Sequence, residues 1–136
     1  MTTSTERVAA SACDGALDAM IADVFSRSCP SREALENVVS KWGTLALLAL
    51  TEGSYRFNAL RRRVEGVSEK MLSQSLQSLE RDGLVTREVV STIPPRVEYS
   101  LTALGERIAR QLTALIGVLE GAMPEITEAR SSYAGR

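Results

Sequence analysis

The stretch from Asn58 to Leu101 constrains the fold more than any other part of the chain. Asn58 to Val64 reads as a short helix with Leu60 and Val64 inward and Arg61, Arg62 and Arg63 outward. Glu65-Gly66-Val67 is a tight turn, and Ser68 is a good N-cap, its hydroxyl able to accept from an orphan backbone N–H. The helix it opens runs to about Arg81, where Asp82-Gly83 stops it. Leu84 to Val90 and Arg96 to Leu101 are β-rich. Between them, Ser91-Thr92-Ile93-Pro94-Pro95 carries prolines that remove ladder donors, so it reads as the stiffened tip of a two-stranded hairpin. Helix, tight turn, amphipathic helix and hairpin in immediate succession leave few architectures open.

The flanks add helices. Residues 1–12 are rich in Thr, Ser and Ala and read as a loose arm. From Asp14 to Phe25, Leu17, Met20, Ile21 and Val24 recur at i, i+3, i+4 and i+7, the spacing of one helix face, with Cys13 on the same face. Pro30 suits the first turn of a further helix, and Ser31, Glu33 and Glu36 suit its positive end. Ala34, Leu35, Val38, Val39 and Trp42 supply its apolar face. Gly43 allows a break before Leu45, Leu47, Leu48 and Leu50 form a more fully buried helix, which Thr51-Glu52-Gly53 ends. Ser54 to Phe57 reads as a brief strand. Thr102 can cap a last helix with Ile108, Leu112, Leu115, Ile116 and Leu119 in one stripe. Pro124 is expected to end it, and residues 131–136 to form a frayed tail.

Composition narrows the chemistry. The chain has 136 residues, suited to one domain, and no His, which argues against imidazole acid–base work. Neither a Gly-rich phosphate loop, a nucleophile with a plausible base, nor metal-ligand spacing is legible, so no enzyme, cofactor or metal is expected. Two cysteines are too few for a disulfide framework, and a reducing compartment is the default. The start is polar, and the longest strongly apolar run, Leu45 to Leu50, is far short of the roughly 20 residues of a membrane span. A cytoplasmic protein without a membrane partner is expected.

Net charge is −1, which counts against non-specific attraction to nucleic acid. The charge is uneven, however. Residues 1–53 carry Arg7, Arg27, Arg32 and Lys41 against seven acids, whereas residues 54–100 carry Arg56, Arg61, Arg62, Arg63, Lys70, Arg81, Arg87 and Arg96 against six. A phosphate backbone responds to local charge. In the helix after the turn, Met71, Leu72, Ser75, Leu76 and Leu79 share one face, and Lys70, Ser73, Gln74, Gln77 and Arg81 the other. Gln can bond adenine in two places and Lys can reach guanine or phosphate, and such a helix fits a major groove about 12 Å wide. Arg87 and Arg96 would give the hairpin its cations, while Arg56 and Arg61 flank the start of the motif as phosphate candidates. Taken alone, the polar face would be an ordinary solvated helix surface. The turn before it and the hairpin after it make the order that of a winged helix, whose members bind either DNA or proteins.

Cys29-Pro30, Lys41-Trp42, the run Tyr55 to Arg61, the run Val67 to Leu76, the run Leu79 to Val85 and the run Pro94 to Thr102 together resemble the HxlR family of bacterial winged helix regulators. The match extends from Cys29 to Ile108 in one register. One departure is that Val39 and Ser40 stand where the family usually has two glycines before the Lys-Trp pair. The resemblance implies a mainly α fold with a small β-hairpin (α+β), a winged helix-turn-helix with extra N- and C-terminal dimerisation helices. Residues 1–28 would form an arm and dimerisation helix, 29–108 the DNA-binding domain, and 109–136 a C-terminal dimerisation helix and tail. It further implies a homodimer on an inverted repeat of double-stranded DNA. Lys70, Ser73, Gln74 and Gln77 would read bases, with Ser68, Arg56, Arg61, Arg81, Arg87 and Arg96 around them. Repression is the expected sign, since no separate domain for recruiting polymerase is legible.

Cys29 falls at a helix start near Arg27 and Arg32, an environment that favours thiolate. In the family, a cysteine at this place serves as the sensing thiol of members that respond to quinones, aldehydes or oxidants. The resemblance therefore implies redox sensing by Cys29, with Cys13 as a second thiol. The plainer reading is that both pack as small hydrophobes, and a disulfide between Cys13 and the partner chain's Cys29 stays open. Two further alternatives remain: a protein-interaction module without DNA preference, and a regulator with a non-covalent small-molecule ligand held among the N-terminal helix, the Leu45–Leu50 helix and the C-terminal helix.

Overall fold

The computed structural model describes residues 23–135. Its elements are α1 (Pro30–Val39), α2 (Lys41–Leu50), β1 (Tyr55–Arg56), α3 (Phe57–Arg63), α4 (Glu69–Arg81), β2 (Val85–Thr92), β3 (Pro95–Leu101), α5 (Ala103–Gly121) and α6 (Met123–Ala134). The expected helix from Asp14 to Phe25 lies almost wholly outside these residues. Its last three, Asp23 to Phe25, form no helix, and Phe25 is exposed.

The core is aliphatic. Leu72, Leu76 and Leu79 on α4 enter one cluster with Ala46, Leu47, Ala49 and Leu50 on α2, Leu60 on α3, and Ala109 and Leu112 on α5. Their i, i+4, i+7 spacing puts all three α4 leucines on one face, and each contributes about 2 kcal/mol by leaving water. Met71, expected on this face, is instead 41% exposed, because one position before Leu72 turns it by a quarter of a circle towards solvent. Phe57 and Trp42 are half-buried against the cluster, as their apolar rings suggest.

The short segment at Tyr55 does not stand alone. It pairs antiparallel with β3, giving a three-stranded sheet in the order β1-β3-β2. Tyr55 lies opposite Tyr99 and Arg56 opposite Glu98. The hairpin pairs from Val85↔Leu101 out to Thr92↔Pro95, with an irregularity between Val89 and Ser91. The tip is therefore tighter than the expected Ser91–Pro95 loop. Ser91, Thr92 and Pro95 join the strands, since Pro95 is the first residue of β3, a place that tolerates a residue that cannot donate.

Other boundaries also move. The break between the first two described helices falls at Ser40, not Gly43, because the Ser40 hydroxyl accepts from Gly43 N–H at 3.1 Å and so caps α2. Pro124 begins α6 instead of closing the last helix, being tolerated in a first turn where its missing N–H has no partner to lose. The expected frayed tail from Ser131 is helical to Ala134.

Two clusters fix the ends of the helix-turn-helix. At the C-terminal end of α4, Leu84 N–H donates to Leu79 C=O at 2.9 Å and Gly83 N–H to Glu80 C=O at 3.0 Å, with Gly83 at φ +80°. This is a Schellman closure, and the left-handed turn is why glycine stands there. The Thr102 hydroxyl donates to Gly83 C=O at 2.7 Å and accepts from Gly105 N–H at 2.9 Å, stapling the start of α5 to the end of α4. A Cβ on Gly105 would lie 2.0 Å from Leu84 O, so only glycine fits this approach. Before α3, Glu52 accepts from Arg63 at 2.9 and 2.5 Å and from the Tyr55 hydroxyl at 2.6 Å. These bonds, Arg63 foremost, hold its carboxyl at about 2, well below the ordinary 4.5.

Two outcomes are expected. Gly105→Ala should destabilise the fold by about 2 kcal/mol or more, read as a thermal midpoint lowered by about 5–10 °C; an unchanged midpoint would mean the Leu84 carbonyl yields freely. Glu52 is depressed when folded, so its contribution is complete above pH 4.5 and lost as pH falls towards 2. Denaturant midpoints between pH 5 and 2.5 should therefore fall less steeply for Glu52→Gln than for wild type, and equal slopes would refute the assignment.

Candidate nucleic-acid interface

With its leucine face held in the core, α4 turns the opposite face to solvent. Lys70, Gln74, Gln77 and Arg81 follow one another at i, i+4, i+7 and i+11 along about 16 Å of helix, and all are exposed. Ser73 sits at the edge of this stripe and is half-buried. The Ser68 hydroxyl accepts from Met71 N–H at 3.1 Å, so it starts the helix as the sequence implies. The stripe holds donors and acceptors without a carboxylate, the combination that base edges and phosphates both accept.

The surrounding cations differ in how far they are already engaged. Arg63 is committed to Glu52. Arg61 lies 3.7 Å from Glu69 at the start of α4. Arg81 bonds Glu33 of α1 and lies 3.8 Å from Asp82. Arg56 stands opposite Glu98, which has Glu88 on its other side, so this sheet face sets two carboxylates beside one cation. Arg87 belongs to the other face, opposite Tyr99, and Arg96 lies by the wing tip opposite Ser91. Arg62 differs from both of its neighbours in the run. It has no ion pair among the described residues, and with Asn58, Arg61, Gly66 and Glu69 it lines an open hollow between α3 and the start of α4. Only the distant placement of Glu52 and Glu69 tells it apart from its two neighbours.

Cys29 is the N-cap of α1, 2% exposed and disulfide-bonded. The Ser31 hydroxyl lies 3.1 Å from its sulfur. Arg32, expected to bias it towards thiolate, points elsewhere: it donates to Phe25 C=O at 3.0 Å and pairs with Glu36 at 3.4 Å. Cys13 lies outside the described residues.

A cleft of about 520 Å³ opens between the end of α2 and α5, lined by Leu50, Thr51, Leu101, Glu106, Arg110 and Thr113 among others. Among the described residues no group of His, Cys, Asp and Glu could hold a metal ion, and no helix is long and apolar enough to cross a membrane.

The model of the HxlR-like helix-turn-helix family matches residues 37–128. The chain belongs to the HxlR-like helix-turn-helix family. Among similar proteins is the HTH-type transcriptional regulator YtfH of Escherichia coli (strain K12), 50% identical over 112 residues that cover 82% of this chain and 89% of YtfH. The structure of the transcriptional regulator ytfH from Salmonella typhimurium superposes with a TM-score of 0.75 at 49% identity, covering 80% of this chain and 97% of that one. The redox regulator HypR in its reduced form gives a TM-score of 0.65 at 33% identity, covering 73% and 98%. The HxlR-like chain is thus a transcription regulator with a winged helix-turn-helix.

The two kinds of surface should separate under mutation. Gln74→Ala should relax selection at particular base pairs, costing about 1–3 kcal/mol on the preferred sequence alone. Arg96→Ala should weaken binding to every duplex and lower the salt slope by about one. Titrations of both variants against matched and scrambled duplexes at several salt concentrations test this, and indistinguishable behaviour would refute the division.

Proposed function

We propose that two copies of this chain bind an inverted-repeat operator, place one α4 in each of two successive major grooves, and repress transcription by occupying the promoter. The carrying observation is the exposed Lys70-Gln74-Gln77 stripe on a helix whose other face is locked in the core. Pairing of the chain is supported by an apolar surface that one copy leaves uncovered. Ile108 and Leu112 of α5 pack inward, but Leu115, Val118 and Leu119 further along it are 52%, 68% and 42% exposed. α6 continues from that overhang with no buried residue. A second copy across a two-fold axis would cover this surface and set the two α4 helices about 34 Å apart, one turn of DNA.

Cys29 is the element we assign to the signal. Its thiol and a second cysteine thiol, Cys13 in the same or the partner chain, would form a disulfide. Two electrons and two protons pass to the oxidant, a quinone or a diazene such as diamide. The disulfide-bonded state of Cys29 at the start of α1 supports this, as does the likeness to HypR, described as a redox regulator in reduced and oxidised forms. Alkylation of Cys29 by a small electrophile would act at the same atom. The cleft beside Arg110 supports a second reading, a non-covalent small-molecule ligand.

The test is a fluorescence-anisotropy titration against the DNA upstream of the chain's own gene, with a scrambled duplex as control, at two salt concentrations and with and without diamide. Preference for the upstream duplex by about 10³ or more, falling steeply with salt, is expected. Diamide should change the affinity of wild type and leave Cys29→Ser unaffected. A response retained by Cys29→Ser would refute the assignment to Cys29 and point to Cys13, the other thiol of the chain. Equal weak binding to both duplexes would favour a protein-interaction module, and a monomer in sedimentation at micromolar concentration would refute pairing.

A further inference from the structure

The C-terminal end of α4 is held by a second helix that has no place in the DNA-reading surface. Glu33 of α1 bonds Arg81, and the Asn37 side-chain amide donates to the Asp82 carboxylate at 2.9 Å. Glu33 and Asn37 are one turn apart, and Arg81 and Asp82 are the last residue and the cap of α4. Both ties therefore join one face of α1 to one end of α4, across 48 and 45 residues of sequence.

The other end of α1 is fixed independently. The Thr44 hydroxyl donates to Val38 C=O at 2.6 Å, and the Ser40 hydroxyl donates to Asn37 C=O at 3.1 Å. A Cβ on Gly43 would fall 2.2 Å from Asn37 O, so glycine lets α1 close down on α2. α1 has no buried residue of its own. Its placement thus rests on these polar bonds and on half-buried contacts, not on a core face. A helix anchored in this way at one end, and tied sideways to α4, has little to do for stability, because exposed ion pairs contribute about 0–1 kcal/mol. It is well suited to setting the direction in which α4 points.

We propose that Glu33–Arg81 and Asn37–Asp82 form a clasp that positions α4 for its DNA site, and that Arg81 acts as a positioning residue through Glu33 and not as a contact to phosphate. The inference rests on the DNA-binding reading above. It does not depend on Cys29 being a sensor. The clasp acts on the tilt of α4 within each subunit. Base selection on a two-fold operator requires both α4 helices to enter their grooves at the same tilt, whereas non-specific binding does not. Loosening the clasp should therefore weaken the specific complex and spare the non-specific one.

The experiment uses the full chain and an operator that the wild-type protein selects from a random duplex pool, with a scrambled duplex as control. Asn37→Ala should weaken operator binding about 3- to 30-fold, leave the scrambled duplex and the salt slope unchanged, and shift the thermal midpoint little. Asp82→Ala should weaken the operator complex at least as much, since it also removes the carboxylate 3.8 Å from Arg81, and adding Asn37→Ala to it should cost nothing further, since the Asn37–Asp82 bond is already gone. Glu33→Arg and Arg81→Glu should each weaken the operator complex, and combining them should restore it by reversing the ion pair. If Arg81→Glu instead weakens both duplexes, lowers the salt slope and is not rescued by Glu33→Arg, then Arg81 is a phosphate contact and the clasp is refuted. Operator affinity unchanged in Asn37→Ala would refute it equally. Failure of the wild type to enrich any duplex would overturn the DNA-binding reading itself, and the positioning role with it.

Discussion

Leu72, Leu76 and Leu79 are almost wholly removed from water in a cluster that includes Ala46, Leu47, Ala49 and Leu50 of α2. Their burial fixes the rotation of α4 about its own axis. Truncating any one of them would cost about 2–5 kcal/mol, far more than any polar contact on the opposite face supplies. The two alanines on α2 are small, which lets the α4 leucines fill the space between the helices. Once that rotation is set, Lys70, Gln74 and Gln77 have nowhere to point but outward. The interface is in this sense a by-product of packing: the residues that could meet DNA are those the core rejects.

Local chemistry then limits where α4 begins and ends. Ser68 opens it, and the Gly83 closure ends it with Leu84 already buried. Thr102 binds that closure to the start of α5, so the wing, leaving at Val85 and returning at Leu101, is pinned at its base on both strands. On the other side, the Glu52–Tyr55–Arg63 cluster joins the end of α2, the edge strand and the end of α3. These contacts are exposed and individually weak. Their consequence is geometric, because they keep the turn, the helix and the wing as one unit.

The distribution of charge follows the same logic. Arg61, Arg63 and Arg81 each meet a carboxylate within the chain. Lys70, Arg62, Arg87 and Arg96 have no ion pair among the described residues, and these are spread over α4, the end of α3 and the wing. Tertiary pairing thus divides the basic residues into those that face a carboxylate and those that do not.

Much of this was legible in the residues. Capping and turn signals at Ser68, Gly66, Gly83 and Thr102 act within a few residues of themselves, and the leucine spacing of α4 is a property of the helix alone. For that reason the order of elements, the bounds of α4 and its polar face could be read directly. The misreadings have a shared cause. Pro124 reads equally as the end of one helix or the start of the next, and here it stands in the first turn of α6. The prolines suggest a wider hairpin tip, but Pro94 sits in the turn and Pro95 is the first residue of β3, where a missing donor is tolerated. The third strand at Tyr55 exists because Tyr99, 44 positions later, lies beside it. The carboxylates that face Arg56, Arg61 and Arg81 come from other elements, so these pairings are not visible in the sequence. The sequence by itself determined the helices, their caps and the two faces of α4, because these depend on neighbours a turn or two away. Only the tertiary structure decided which cations meet a carboxylate and that Glu33 and Asn37 of α1 bond the end of α4, because both depend on groups brought together from distant parts of the chain.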